Sequence, residues 1–252
     1  MSGHSKWASI KHKKAAVDAK RGKVFTRLIR EIMLAARNGG NPDSNSRLRM
    51  AIEKGREYNM PADNIKRAIQ KGTGEGGGAQ FEEVSYEGYG PAGVAVKVEV
   101  VTDNKRRSAG EIRSIFSKNN GSLGEVGCVS WIFERKVQIS VSREAVDEDS
   151  LMNLALESGA EDIAPEAENY VISTDPENAD RVRAALEQKQ LKPGAVNFTM
   201  LPKTTVPVTG KDAENLLKLL DTLEEHDDVQ AVYANFEISD ELLEQIESRS
   251  AA

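Results

Sequence analysis

The sequence predicts an α+β protein: an N-terminal three-helix domain followed by two α/β ferredoxin-like domains, one inserted in the other. Three observations lead there. Apolar residues recur at helical spacing through residue 72, a glycine-rich stretch follows at Gly72–Gly78, and beyond it valines alternate at strand spacing. With 252 residues and 39% hydrophobic content, the chain can bury several small cores.

The first helix is expected over Lys20–Ala36, where Val24, Phe25, Leu28, Ile29, Ile32 and Met33 share one face and Gly39-Gly40 supplies the stop. Lys20, Lys23, Arg27 and Arg30 fall within about 80° on the opposite face, so this helix has a core side and a basic side. A second helix starts near Ser44 or Asn45, buries Leu48, Ala51 and Ile52, and ends about Tyr58. A third opens with Pro61, whose fixed φ suits a first helical turn, and stops at Gly72. The stretch Gly72–Gly78 lacks the Gly-Lys-Ser/Thr ending of a phosphate-binding loop and follows no strand, so it reads as a linker.

Strands are then expected at Phe81–Tyr86 and Gly93–Thr102, a helix at Ser108–Asn119, and a strand through Val129–Phe133. Strand, helix, two strands, helix and strand follow between Val137 and Met200, an order that resembles a split βαβ, ferredoxin-like unit. The tail adds a strand at Thr205–Val208, a helix from Asp212 to Glu224 and a strand at Val229–Phe236. The expected domains are therefore residues 1–79 with the linker, residues 80–135 plus 204–240, and an insertion over residues 136–203.

Charge divides the chain more sharply than hydropathy does. Residues 1–80 hold 17 Lys and Arg against 7 Asp and Glu, a net of +10, whereas the other 172 residues hold 17 against 33, a net of −16. Such a field draws a polyanion to one end and repels it from the other, in a salt-dependent way. The candidate nucleic-acid contacts are Lys6, Trp7, Lys11, His12, Lys13 and Lys14, then Lys20, Arg21, Lys23, Arg27 and Arg30 on the first helix. Trp7 among the cations offers a plane on which a base stacks. A second candidate is Lys105, Arg106 and Arg107, three consecutive cations expected in a loop of an acidic domain. Arg47, Arg49, Lys54 and Arg56 extend the patch. The helix-turn-helix suggested by the second and third helices has only Lys66, Arg67 and Lys71 for contacts.

Catalytic chemistry finds little to work with, and no enzyme, cofactor or metal is expected. The three histidines, His4, His12 and His226, have no metal-ligand spacing and read as solvated surface residues, and Cys128 before an apolar strand reads as a packed small hydrophobe. The acidic clusters Glu144–Asp149 and Glu224–Asp228 read as solvated faces. One cysteine cannot form an intramolecular disulfide, the opening residues lack the apolar core of a secretion signal, and no apolar run spans a bilayer. The expected location is the cytoplasm, with no membrane partner.

Ser-Gly-His-Ser-Lys-Trp at 2–7, Lys-Ala-Ala-Val-Asp-Ala-Lys-Arg-Gly-Lys at 14–23, Leu-Ile-Arg-Glu-Ile at 28–32, Tyr-Glu-Gly-Tyr-Gly-Pro at 86–91 and Thr-Asp-Asn at 102–104 closely resemble the YebC/PmpR family. The likeness runs to about Arg135 and continues more loosely through Asn-Phe-Glu-Ile at 235–238. It implies a cytoplasmic, non-enzymatic regulator of three domains, one helical and two α/β. Members are usually described as DNA-binding transcriptional regulators, while mitochondrial relatives and some bacterial members look like translation factors acting at the ribosome. This chain departs from the pattern at Asn104-Lys105-Arg106-Arg107, where many members have Asn-Arg-Asn-Arg. Three readings of function stand at this point: a DNA-binding transcriptional regulator, whose acidic α/β domains set orientation or meet protein partners; a ribosome- or RNA-binding translation factor; and a protein-interaction adaptor, whose basic domain docks on an acidic protein and whose ferredoxin-like units pair through exposed sheet edges.

Overall fold

In the computed structural model, which describes residues 17–75, 81–166, 168–194, 196–239, 241–243 and 245–246, the helical spacing of the first segment becomes three helices. These are α1 (Val17–Ala36), α2 (Ser46–Glu57) and α3 (Ala62–Gly72). Their apolar stripes meet in one core that includes Leu28, Ile32, Leu48, Ile52 and Ile65, and both α2 and α3 pack against α1. Asn45 links two of them. Its side-chain amide donates to the carbonyls of Ala35 and Gly39, each at 2.8 Å, and its Oδ1 accepts from the Leu48 amide at 3.0 Å. One side chain thus caps the start of α2 and satisfies carbonyls left open at the end of α1. The other end of α2 closes with the Met60 amide on Gly55 O and the Asn59 amide on Arg56 O, both at 2.9 Å, with Asn59 at φ 57°. That is a Schellman turn with asparagine, one of the few residues tolerant of left-handed backbone, in the position usually held by glycine.

The strands of the next segment are β1 (Glu82–Tyr89) and β2 (Ala95–Thr102), paired antiparallel from Glu82↔Thr102 to Tyr89↔Ala95 around a 3-10 turn at Pro91–Gly93. Next come α4 (Lys105–Lys118) and the short β3 (Ser122–Leu123). Two expectations are corrected here. Lys105, Arg106 and Arg107 are not in a loop but form the first turn of α4, because the Asn104 side chain accepts from the Arg107 amide and starts the helix three residues early. The expected strand at Val129–Phe133 is absent. The buried Glu87 carboxylate takes the amides of Val129 and Ser130, each at 2.9 Å, so they serve no ladder, and a 3-10 turn occupies Ser130–Ile132.

The chain forms two units by its internal contacts, one over residues 131–205 and one containing the other described residues. The first holds β4 (Phe133–Ser142), α5 (Glu148–Glu157), β5 (Ala160–Glu166), β6 (Asn169–Thr174), α6 (Ala179–Gln188) and β7 (Val196–Pro202). Its sheet has the order β5-β6-β4-β7 with every pair antiparallel, the ferredoxin-like arrangement of two split βαβ crossovers. Val137, Ile139 and Val141 on β4 alternate into a core with Leu151, Ile172, Val182 and Leu186. Asp147, in one of the acidic clusters, caps α5 by accepting from the Ser150 amide at 2.9 Å.

The other unit is completed by β8 (Val206–Pro207), α7 (Gly210–Glu225), β9 (Val229–Ala234) and β10 (Phe236–Glu237). Its four-stranded sheet has the order β3-β1-β2-β9, with a hairpin as its central pair, and α4 and α7 pack against it and each other. Leu216, Leu219, Leu220 and Phe116 are among its fully buried side chains. β8 and β10 pair in parallel beside it.

Candidate nucleic-acid interface

The basic side of α1 faces the last turn of α7. Lys23 Nζ donates to Glu225 O at 3.1 Å, Arg27 Nη2 donates to Glu224 O, and Arg30 Nη1 donates to Asp227 O. Arg30 Nη1 also lies 3.1 Å from Asp228 Oδ1. The end of α7 is the natural partner for such a row. Its last carbonyls have no intrahelical donors, the helix dipole places negative charge there, and Asp227 and Asp228 add two carboxylates. Burial pushes the Arg27 guanidinium downward in pKa, against the pull of Glu224 and Asp227. Around this row, Arg37 donates to Phe81 O at 2.6 Å, Arg30 lies over the Phe81 ring at 5.5 Å, and Arg47 pairs with Glu83.

Asp228 is the hub of the arrangement. The residue is 3% exposed. Its Oδ2 accepts from Ser108 Oγ at 2.8 Å, Arg107 Nη2 at 2.8 Å and Thr102 Oγ1 at 3.1 Å. Burial pushes its carboxyl upward, but the hydrogen bonds from Arg107, Ser108 and Thr102 and the charge of Arg30 outweigh that and hold it below the usual carboxylate range. Arg30, Thr102 and Asp228 come from three distant stretches of chain, so the Leu-Ile-Arg-Glu-Ile and Thr-Asp-Asn motifs meet at one carboxylate. The sequence reading of Glu224–Asp228 as a solvated face is corrected here.

His226 is likewise not a solvated histidine. Its side chain is 14% exposed, with Nε2 2.8 Å from Glu111 Oε2 and Nδ1 accepting from the Asp228 amide at 3.2 Å. Glu111, His226 and Asp228 lie close enough for their ligand atoms to share an ion. The donor set does not suit one, because Asp228 already accepts four donors and two of them are guanidinium groups that repel a cation.

The remaining candidates separate clearly. Lys6, Trp7, Lys11, His12, Lys13 and Lys14 lie outside the described residues, and Lys20 and Arg21 sit on α1 with side chains outside the description. Lys23, Arg27 and Arg30 are brought together, but against α7. In the first turn of α4, Lys105 pairs with Glu82 at 2.5 Å, Arg107 holds Asp103 and Asp228, and Arg106 is exposed with no ion pair among the described residues. Cations at a helix N-terminus oppose the dipole, and the three carboxylates offset that cost. The residues that sequence reasoning missed are Asp228, Ser108 and Glu111. A pair of adjacent aspartates after a helix carries no signal of burial.

These features define a class: a charge-segregated α+β protein whose basic helical bundle is clasped to an acidic body. Residues 5–75 match the model of the TACO1/YebC protein N-terminal domain, and residues 81–236 match that of the TACO1/YebC second and third domain. The chain belongs to the TACO1/YebC family. A probable transcriptional regulatory protein of Pelotomaculum thermopropionicum is 58% identical over 95% of this chain and 100% of its own length. Another, of Dictyoglomus turgidum, is 56% identical over 98% of this chain and 100% of its own. The crystal structure of a conserved hypothetical protein from Aquifex aeolicus superposes with a TM-score of 0.82 at 51% identity, covering 93% of this chain and 97% of that one. Among the described residues no helix is long and apolar enough to cross a membrane.

Proposed function

We propose that the protein is a non-enzymatic, nucleic-acid-binding regulator of gene expression in the cytoplasm, acting as a DNA-binding transcriptional regulator. The observation that carries this reading is the charge asymmetry, +10 over residues 1–80 against −16 over the rest. It concentrates a phosphate-seeking field on the helical domain, while the acidic remainder of the chain repels the polyanion. The names of the relatives, which call them probable transcriptional regulatory proteins, agree with it. Lys6, Lys11, Lys13 and Lys14 supply phosphate contacts, while Lys23, Arg27 and Arg30 hold the bundle on the body.

A second reading, an RNA-binding translation factor on the ribosome, is favoured by Trp7 among these cations, since stacking on an unpaired base suits single-stranded or looped RNA better than a closed duplex. Sucrose-gradient sedimentation of a cell lysate with and without ribonuclease separates the two. The DNA reading expects the protein to migrate free of ribosomal particles under both conditions. Ribonuclease-sensitive comigration with them would transfer the assignment to translation.

A further inference from the structure

Among the described residues, the cations of the helical domain divide into those engaged with other parts of the chain and those left exposed. Lys23, Arg27 and Arg30 on α1 are engaged with the end of α7. Arg56 on α2 and Lys66, Arg67 and Lys71 on α3 are exposed, and their side chains make no hydrogen bond or ion pair among the described residues. On α3, Lys66, Gln70, Arg67 and Lys71 lie within about 140° of one another, opposite the face of Ile65, Ala68 and Gly72. The two helices are joined by the tight Schellman turn at Asn59-Met60, followed by Pro61. Between them opens a cleft of about 340 Å³ floored by Ile52, Met60, Ile65 and Ile69, with Arg56 and Lys66 at its sides.

We infer that α2, its turn and α3 form the groove-facing part of a duplex-DNA contact that the N-terminal lysines extend, with α3 facing a groove and Arg56, Lys66, Arg67 and Lys71 on phosphates. This rests on the proposed nucleic-acid reading and specifies which surface carries it. Two helices across a short turn are the element that places a second helix against a major groove. An α-helix fits that groove, and Gln70 has the paired donor and acceptor that recognise an adenine edge. The exposed side of α3 carries three cations against one acid, Asp63, which sits in the first turn where the helix dipole holds it. The sequence alone ranks this helix low because it contributes few cations. The structure raises it, because the richer cationic row on α1 is turned inward.

The test uses the full chain and fluorescence anisotropy with two labelled probes, a random-sequence duplex DNA of about 30 base pairs and an RNA hairpin, over a salt series. Three proteins are compared: wild type, the Lys66→Ala/Arg67→Ala/Lys71→Ala variant, and a Lys13→Ala/Lys14→Ala variant. Circular dichroism checks that each is folded, which exposed positions favour. The expected result is duplex binding weakened at least about tenfold by the α3 substitutions, with the log–log salt slope shallower by about two to three, since each phosphate contact contributes about 0.9. Unchanged duplex binding by the α3 variant, with loss in the Lys13/Lys14 variant, would overturn the α3 assignment and leave the nucleic-acid reading standing. An effect of the α3 substitutions on the hairpin and none on the duplex would overturn it as well. Absence of binding by the wild type to both probes would overturn the reading itself.

Discussion

At the scale of single residues, Asp228 gathers four side-chain donors on one buried carboxylate. Replacing it with asparagine keeps the shape and removes the charge that Arg30 and Arg107 share. Urea unfolding of Asp228→Asn is expected to show a loss of about 2–3 kcal/mol, the cost of weakening charge-assisted bonds to a buried group. The pH dependence has a definite sign. Because the folded-state carboxyl sits below its ordinary value of about 3.9, the stability it contributes is present above that value and is lost as pH falls through the lowered folded-state pKa. An acid titration followed by circular dichroism should therefore show a later transition for wild type than for the asparagine variant, and coincident curves would remove Asp228 from this role. Glu87 is held below the usual range in the same direction, burial raising it and the amides of Val129, Gly127 and Ser130 with the Ser130 hydroxyl lowering it further. Neither residue was legible as buried in the sequence. A carboxylate beside other acids or in a tyrosine-glycine motif looks solvated until the donors arrive from 43 and 120 positions away.

Elements were far more legible than sites, for physical reasons that differ along the chain. Helices α2 and α3 carry their boundaries in local chemistry: Asn45 caps one end, Asn59 turns the other, and Pro61 and Gly72 bracket the next helix. The ferredoxin-like order of the middle unit followed from alternating Val137, Ile139 and Val141 and from helical spacing on either side. What the apolar pattern missed is what polar side chains decide: the early start of α4 is set by the local Asn104 cap, and the strand at Val129–Ser130 is lost to the distant Glu87 carboxylate. Close approach explains one motif glycine. A Cβ on Gly88 would lie 2.4 Å from Ser122 O and 3.0 Å from the Phe116 ring. Gly88→Ala should lower stability by about 1–3 kcal/mol, since backbone must move to admit the methyl group, and a melting temperature within error of wild type would refute the contact. At Asn59, φ 57° favours glycine, so Asn59→Gly should be neutral or slightly stabilising and Asn59→Val destabilising. Equal melting temperatures for the two would contradict the turn geometry.

At the scale of the whole molecule, part of the charge of the basic helical domain is engaged within the protein. Lys23, Arg27 and Arg30 bind the helices to the end of α7 across about 200 positions of sequence. The sequence reading saw that these cations share a face but not which partner the face meets, because nothing near them in sequence encodes it. Arg27→Ala with Arg30→Ala should speed amide hydrogen exchange in α1 and the last turn of α7 at least about tenfold, given the strength of charge-assisted bonds. Exchange in the β5-β6-β4-β7 sheet should stay unchanged, and a uniform acceleration would mean global destabilisation instead. On the proposed reading, the exposed Arg56, Lys66, Arg67 and Lys71 are among the cations of the described helices left to meet a polyanion.

The central claim, that this charge segregation serves nucleic-acid binding, is tested most directly by the salt dependence of duplex binding to the intact wild-type chain. With four or more phosphate contacts, the slope of log K against log salt should be about −3.6 or steeper. A flat dependence, or no binding at low salt, would contradict the account and leave the basic domain as a surface for an acidic protein.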